Sequence, residues 1–321
     1  MERNVEYIIG IDSGGTNYRV RAENLDGKFL GQYIGSTASH YSLAEGEVKR
    51  RINHHIDECL AAFGGKRSEC RYLVCGTTGL DTKEDDEFLN QMYRELEGFH
   101  CPMIVKNDAE IAHYTVTGGT GILVISGTGS IAFGINKKGE AGRVGGWALS
   151  IMGEEGSGTW VTRKALRHLA NCYDKVTEEG LLSDMIKERL EIQTVKDLTD
   201  YSVFLASHKN GKASLGETVD DAAEQGDPDA VQLLKDAAAE TARLAGNLIR
   251  VLGMEYDDEI VIGIWGSNIV KSRIHSGEFE RLMKEKYPQS IIKSPTEEAV
   301  DGAVRMAREL YMEGLKKNAA V

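Results

Sequence analysis

The stretch Ile9 to Val20, IGIDSGGTNYRV, decides how this chain is read: an apolar strand ends in a carboxylate and turns through two glycines directly into a second strand. Gly14 and Gly15 permit backbone angles closed to other residues and let main-chain amides approach an anion with no Cβ in the way. Thr16 and Asn17 add short donors. Asp12, at the strand's C-terminal end, points into the same turn, where a carboxylate repels phosphate unless a Mg2+ lies between them, often through water. The segment also reads as an ordinary β-hairpin with an exposed aspartate.

Outward from this stretch, the pattern predicts strands over Tyr7 to Asp12, Thr16 to Asn24 and Phe29 to Ser36, separated by short turns that include Asp26-Gly27. Val48, Ile52, Ile56 and Leu60 recur at helical spacing and lay one apolar stripe on a sheet. A strand at Tyr72 to Cys75, a helix over Glu84 to Leu96 and a strand at Met103 to Lys106 follow, which makes a mixed sheet with helical crossovers. After Gly118-Gly119 the opening is echoed: strand Gly121 to Ile125, the turn SGTGS at Ser126 to Ser130, then strand Ile131 to Ile135. Two similar halves, each with a phosphate-facing glycine turn, are therefore expected. Beyond Ser157 the sequence is mainly helical to about Leu252, with Asp227-Pro228 as cap and first residue of one helix. Ile260 to Ile264 reads as a buried strand followed by GSN, and Glu297 to Lys316 as a last helix.

The chain has 321 residues, 41% of them hydrophobic, enough for a core in each of about two domains. Lys plus Arg total 38 against 50 Asp plus Glu, a net charge of −12, and no basic run interleaves with aromatics. Nucleic acid and acidic membrane surfaces are excluded as expected partners, so an anionic ligand must be held by amides, dipoles and metal. No signal segment or membrane-spanning run is read, and a cytoplasmic protein is expected. The cysteines, Cys59, Cys70, Cys75, Cys101 and Cys172, form no CxxC pair and read as reduced thiols.

With the glycine turns in this order, the chain resembles the actin-like ATPase superfamily that includes sugar kinases, and within it the N-acetylglucosamine kinase and benzoyl-CoA-reductase-activator type of ATPase. IGIDSGGTNYRV is similar to the first phosphate motif, GILVISGTGSIAFGI at Gly121 to Ile135 to the second, and IVIGIWGSNIVKS at Ile260 to Ser272 to the adenosine motif. SPTEEAVDGAVRMA from Ser294 resembles the closing connector helix, where Gly302-Ala303 permits close helix contact. GRVGGWALSIMGEEGSGTWV at Gly142 to Val161 resembles the signature of the N-acetylglucosamine kinase branch. The resemblance implies a two-domain α/β, actin-like ATPase (ribonuclease H-like) fold with a cleft between the domains: residues 1–117 with the closing helix 297–321, and residues 118–296. It implies ATP and Mg2+ as cofactors and a small-molecule amino sugar as partner, and a homodimer is compatible with it.

Carried residue by residue, Asp12 would place the metal. Gly14, Gly15, Thr16 and Asn17, with Gly127, Thr128, Gly129 and Ser130, would hold phosphates, and Gly266, Ser267 and Asn268 would sit against the nucleoside. Trp265, where the family usually has a glycine, either stacks on adenine or packs beneath it. The family's acidic turn assigns Gly145, Gly146, Trp147 and Glu154 to the sugar pocket; the alternatives are a packed loop with a core tryptophan and a solvated helix start at Glu154-Glu155.

Phosphoryl transfer to an alcohol needs a base, and Asp108, after the strand Met103 to Lys106, stands where such folds place one. Asn107-Asp108 matches the family's substrate-side pair, while Asp108 also reads as a helix cap. Glu110 reads as a surface residue that compensates the helix dipole. Thr77 and Thr78 offer hydroxyls to the pocket or simply form a turn. In GSTASHYS, Gly35 to Ser42, the family's expected Asn is missing, which leaves Ser39 or His40 as candidate ligands, and His40 reads as a surface residue. The competing function is an ATPase that drives a conformational change in a partner enzyme.

Overall fold

Three strands run antiparallel in succession, β1 (Tyr7–Ser13), β2 (Asn17–Asn24) and β3 (Phe29–Ser36). The computed structural model describes residues 5–80, 82–147, 153–207 and 214–319. Helix α1 (Glu45–Ala61) then leads to β4 (Cys70–Thr77), α2 (Lys83–Arg94), β5 (Met103–Asn107) and α3 (Asp108–Thr117). Because a helix returns the chain to the same end of the sheet before each strand, β4 pairs parallel to β1 and β5 parallel to β4. The sheet order is β3-β2-β1-β4-β5.

The second unit repeats this plan. β6 (Gly121–Ser126), β7 (Ser130–Ile135) and β8 (Ala141–Gly145) are antiparallel neighbours. The helices α4 (Gly158–Tyr173), α5 (Leu181–Leu190), α6 (Val195–Ser207), α7 (Gly216–Glu224) and α8 (Pro228–Val251) intervene before β9 (Ile260–Trp265). α9 (Ser267–Val270), α10 (Arg273–Lys286) and β10 (Ser290–Lys293) complete it, in the order β10-β9-β6-β7-β8. Asp227 caps α8 as its sequence predicts, accepting the Ala230 N–H at 2.9 Å, with Pro228 in the first turn. β8 and β10 are strands that the sequence pattern does not announce. Each is short and lies at a sheet edge, where one neighbour supplies the pairing and no apolar run is needed.

Contacts divide the chain into two compact units: one holds the chain through Gly119 and again from Pro295, and the other is Thr120–Ser294. The last helix, α11 (Ala299–Ala319), belongs to the first. Strand alternation decides what it covers. Ile9 and Ile11 join Tyr18, Val20 and the α1 residues Val48, Ile52 and Ile56 in one core, so Gly10 and Asp12 share the opposite face. A Cβ on Gly10 would lie 2.8 Å from Val304 Cα and 2.9 Å from Ala303 C, so only glycine admits the α11 backbone there. Gly302 plays the same part toward α3, where a Cβ would lie 2.9 Å from Thr115 Cβ. On this face β2 presents charges instead of apolar groups: Arg21 pairs with Asp301 at 2.7 Å and Glu23 with Arg308 at 2.9 Å.

Candidate functional site

In the first unit the β1–β2 turn is fixed by its carbonyl groups. Gly14 N–H donates to Asn17 O at 2.9 Å, Thr37 Oγ1 donates to Gly14 O at 2.9 Å, and Thr37 N–H donates to Thr16 O at 3.1 Å. In a trans peptide the C=O and the following N–H point in opposite directions, so tying down Gly14 O turns the Gly15 N–H the other way. Neither Gly14 nor Gly15 has a positive φ, contrary to the expectation that the turn exploits left-handed backbone. Their use lies in open space: a Cβ on Gly15 would meet nothing within 4 Å, and one on Gly14 only Asn17 O at 3.6 Å. Thr16 is exposed and Asn17 half-buried beside them. Thr37, the anchor of this turn, lies within GSTASHYS and was not singled out from sequence.

Asp12 lies opposite Arg19 in the β1–β2 ladder, with Arg19 Nη1 3.3 Å from its Oδ2. Burial pushes its carboxyl above the ordinary range, Arg19 opposes that, and Glu298 adds to the rise. A partly desolvated hard oxygen donor of this kind favours a cation. No group of three or more His, Cys, Asp or Glu suited to a metal occurs among the described residues. A half-buried carboxylate such as Asp12 fits the usual habit of Mg2+, which takes one or two carboxylates and completes its shell with phosphate and water oxygens.

The ends of the parallel strands are in register, Ser13 opposite Thr77 and Thr77 opposite Asn107. Thr77 is buried, its Oγ1 donating to Thr78 O at 3.2 Å, while Thr78 N–H donates to Ser13 O at 2.9 Å, which is the turn-forming role. The buried Ser13 Oγ makes no hydrogen bond among the described residues. Asn107, not Asp108, caps α3: its Oδ1 accepts the Ala109 N–H at 2.9 Å and its Nδ2 donates to Leu80 O at 3.1 Å. Asp108 is the first helical residue, half-buried, with Oδ1 accepting the same Ala109 N–H at 2.8 Å. Glu110 completes the capping box and pairs with Lys106 at 2.7 Å, more than a bare surface charge. His40 is likewise no free surface group: its Nε2 lies 3.3 Å from Asp85 Oδ1, with the side chain only 11% exposed. Ser39 is buried, its N–H donating to Thr37 Oγ1 at 3.1 Å.

In the second unit the turn Ser126–Ser130 is built by the same device, with a helix as anchor. Gly127 O accepts the Gly158 N–H at 2.8 Å, and Thr128 O accepts both the Thr159 N–H at 3.2 Å and its Oγ1 at 2.8 Å. The first amides of α4, which no helical carbonyl can satisfy, thus hold two loop carbonyls. Peptide planarity turns the Thr128 and Gly129 N–H groups to the other side, where they find no acceptor among the described residues. Gly127 N–H is spent on Gly129 O at 2.9 Å, so it drops out of the expected set of phosphate donors. Gly129 O being taken in turn, the Ser130 N–H also faces outward, and it donates to Glu154 Oε2.

The acidic turn therefore folds onto the Ser126–Ser130 turn. Ser130 Oγ donates to Glu155 O at 2.8 Å, Ser126 Oγ to Gly156 O at 2.8 Å, and Ser157 Oγ to Glu154 O at 2.7 Å. Glu154 and Glu155 are half-buried, not the solvated start of a helix, and Glu154 has φ +74°. Burial raises the Glu154 carboxyl, the Ser130 amide lowers it, and Glu155 raises it again. Asn268 closes the arrangement: buried, it donates through Nδ2 to Ser126 Oγ at 2.9 Å and Gly156 O at 3.0 Å. Its amide nitrogen is thus directed into the turns. Gly266, φ +93°, brings the start of α9 against the Ser126 carbonyl, and Ser267 is exposed beside it. Trp265 is half-buried at the end of β9.

At the end of β8, Gly145 and Gly146 have φ +81° and +72°, and the Gly146 N–H donates to Ser130 O at 3.0 Å. Trp147 is 57% exposed, with Arg143 over its ring at 5.4 Å, so it is not a core tryptophan. A Cβ on Gly153 would lie 3.7 Å from Trp147 Cβ, so these two residues of the signature lie side by side. Residues 148–152 of that signature lie outside the described residues.

Residues 9–305 match the BadF/BadG/BcrA/BcrD ATPase family. The N-acetylmuramic acid/N-acetylglucosamine kinase of Clostridium acetobutylicum is 35% identical over 308 residues, 95% of this chain and 99% of that protein. Among solved structures, a protein of Chromobacterium violaceum provisionally assigned as an N-acetylglucosamine kinase superposes with a TM-score of 0.73 at 20% identity, covering 95% of this chain and 99% of that one. A ROK family glucokinase from Streptomyces griseus, in complex with glucose and AMPPNP, superposes with a TM-score of 0.57 at 17% identity over 94% and 99%. These superpositions fit the two-domain α/β fold expected of actin-like sugar kinases. No helix among the described residues is long and apolar enough to cross a membrane.

Proposed function

The chain belongs to the BadF/BadG/BcrA/BcrD ATPase family, and on that premise we propose that it is an ATP-dependent carbohydrate kinase that phosphorylates N-acetylglucosamine, N-acetylmuramic acid or a closely related amino sugar at the 6-hydroxyl. The observation that carries the reading is the row of amides at Thr128, Gly129 and Ser130, turned outward because their neighbouring carbonyls are held by the start of α4 and within the turn. Amides fixed in this way stabilise the charge on phosphate oxygens without reorganising during transfer. The named relative at 35% identity supports the amino sugar as acceptor.

Asp108 is the proposed general base, accepting the proton of the attacking hydroxyl, and Asn107 positions it by fixing the first turn of α3. Gly15 and Thr16 offer a second set of phosphate contacts. Asp12 is the residue that would hold Mg2+, and the ion when bound neutralises charge on the phosphates. Trp147, exposed and flat, offers its indole face to the apolar side of a sugar ring, beside Gly145 and Gly146. Ser267 and Gly266 lie toward the nucleoside in this reading.

An ADP-release assay across glucose, glucosamine, N-acetylglucosamine and N-acetylmuramic acid tests the activity, and phosphorus NMR of the product assigns the hydroxyl. Release that is equal with and without every sugar would refute the kinase and favour an ATPase that activates a partner. Asp108→Asn should lower phosphorylation by about 10²- to 10⁴-fold. The asparagine oxygen can keep the Ala109 N–H bond, so the fold and the sugar and nucleotide affinities should persist. Near-normal turnover in this variant would remove Asp108 as the base.

A further inference from the structure

The amide row that would receive phosphate already has an anion of the chain's own on its third member, the Glu154 carboxylate on Ser130 N–H. The approach is built into the sequence at three places. A Cβ on Gly129 would lie 3.0 Å from Glu154 Cδ, so only glycine there leaves room for the carboxylate. Glu154 adopts φ +74°, a left-handed conformation that is unfavourable for a residue with a side chain and is sustained only by surrounding contacts. Those contacts are the Ser157 Oγ and N–H on Glu154 O, at 2.7 and 3.1 Å, and the Ser130 Oγ on Glu155 O at 2.8 Å.

We propose that Glu154 is a resident surrogate for phosphate, which the outer phosphates of the nucleotide must displace from Ser130 N–H before they can seat in the turn. One N–H cannot serve a carboxylate and a phosphate oxygen together, and two anions at hydrogen-bonding distance repel. Binding therefore includes the release of Glu154, which lowers nucleotide affinity and leaves a carboxylate free at the edge of the turn once phosphate is bound. The inference rests on the kinase reading and assigns Glu154 a role in nucleotide affinity that is separate from its expected contact with sugar.

The test is calorimetric titration of the full chain with the β,γ-imido analogue of ATP in the presence of Mg2+, comparing the unaltered protein with Glu154→Gln and Glu154→Asp. Gln keeps the size but loses the charge, and Asp withdraws the carboxylate by one methylene. Both should bind the analogue more tightly, Gln by about tenfold, the equivalent of about 1.4 kcal/mol. A side chain serving only as a strut would lower the melting temperature without tightening binding, and unchanged or weaker affinity in folded Gln and Asp proteins overturns the proposal. If neither variant folds, carbon-labelled glutamate in the unaltered chain decides: the Glu154 carboxyl resonance must shift as the analogue is added, and a static resonance at saturation overturns it. A folded unaltered chain that binds no analogue at millimolar concentration would instead bring down the nucleotide reading itself, a result distinct from binding that Glu154 does not influence.

Discussion

Asn268 separates two roles that a glycine-Ser-Asn turn can have, contact with a nucleoside or support of the turns around it. Replacing it with alanine removes the Nδ2 bonds to Ser126 Oγ at 2.9 Å and Gly156 O at 3.0 Å, both buried. At about 1 kcal/mol net for each, the loss comes to about 2 kcal/mol. At 2–4 °C per kcal/mol for a domain of this size, that lowers the melting temperature by about 4–8 °C. Three turns share the residue, so the damage should spread: Gly156 keeps only the Ser126 hydroxyl, and Ser126 loses the donor that orients it. Ser267→Ala, at the exposed neighbour, is the control and should melt within about 1 °C of the unaltered protein, as surface changes do. Differential scanning calorimetry with a parallel nucleotide titration reads both outcomes. If Asn268→Ala melts like the unaltered chain but binds nucleotide many times more weakly, the side chain faces the ligand and the packing argument is wrong.

Gly10→Ala should be worse than Gly302→Ala. The first meets the backbone of Val304, which cannot move alone, whereas the second meets the Thr115 side chain; both should be destabilised by about 1–3 kcal/mol or more, and Thr115→Ala should recover part of the second loss only. Urea denaturation of the three variants checks the order, and equal losses would contradict it. Acid stability carries a signature from His275, buried against Thr241 Oγ1 at 3.0 Å, whose pKa burial lowers to about 4. The unfolded chain takes up this proton near the ordinary histidine value of about 6.5 and the folded chain only near 4, so stability is complete above about pH 6.5 and falls as the pH drops toward 4, by up to about 3 kcal/mol. His275→Gln should flatten that part of the pH–stability curve, and an unchanged slope would show that other groups carry it.

The sequence pattern located β1, β4, β6 and β9 because each of these central strands carries a run of apolar residues, and α1 and α8 because each carries an apolar stripe at helical spacing. It passed over β8 and β10, short edge strands whose pairing comes from one neighbour and leaves little trace in composition. Gly302 was legible as a site of close helix contact through the resemblance to the connector helix, and the Thr115 side chain of α3 supplies that contact. Of the two uses expected for the glycines of the first turn, the open space beside the amides is present and the left-handed angles are not, because φ depends on how the flanking strands meet and residue type alone does not report it.

By itself, the sequence determined that this chain repeats a strand–glycine turn–strand unit, that it carries carboxylates and small donors of the kind a phosphate site would use, and which family's motifs it bears in order. Apolar periodicity and residue type are local properties, written wherever they act. Only the tertiary structure decided which groups are already spoken for: that Gly127 N–H is satisfied within its turn, that Asn107 and not Asp108 caps α3, that Asn268 faces inward, and that Glu154 rests on Ser130. The last two outcomes depend on partners 142 and 24 residues away in the chain, while the first two turn on which of several neighbouring groups the closed backbone brings into line.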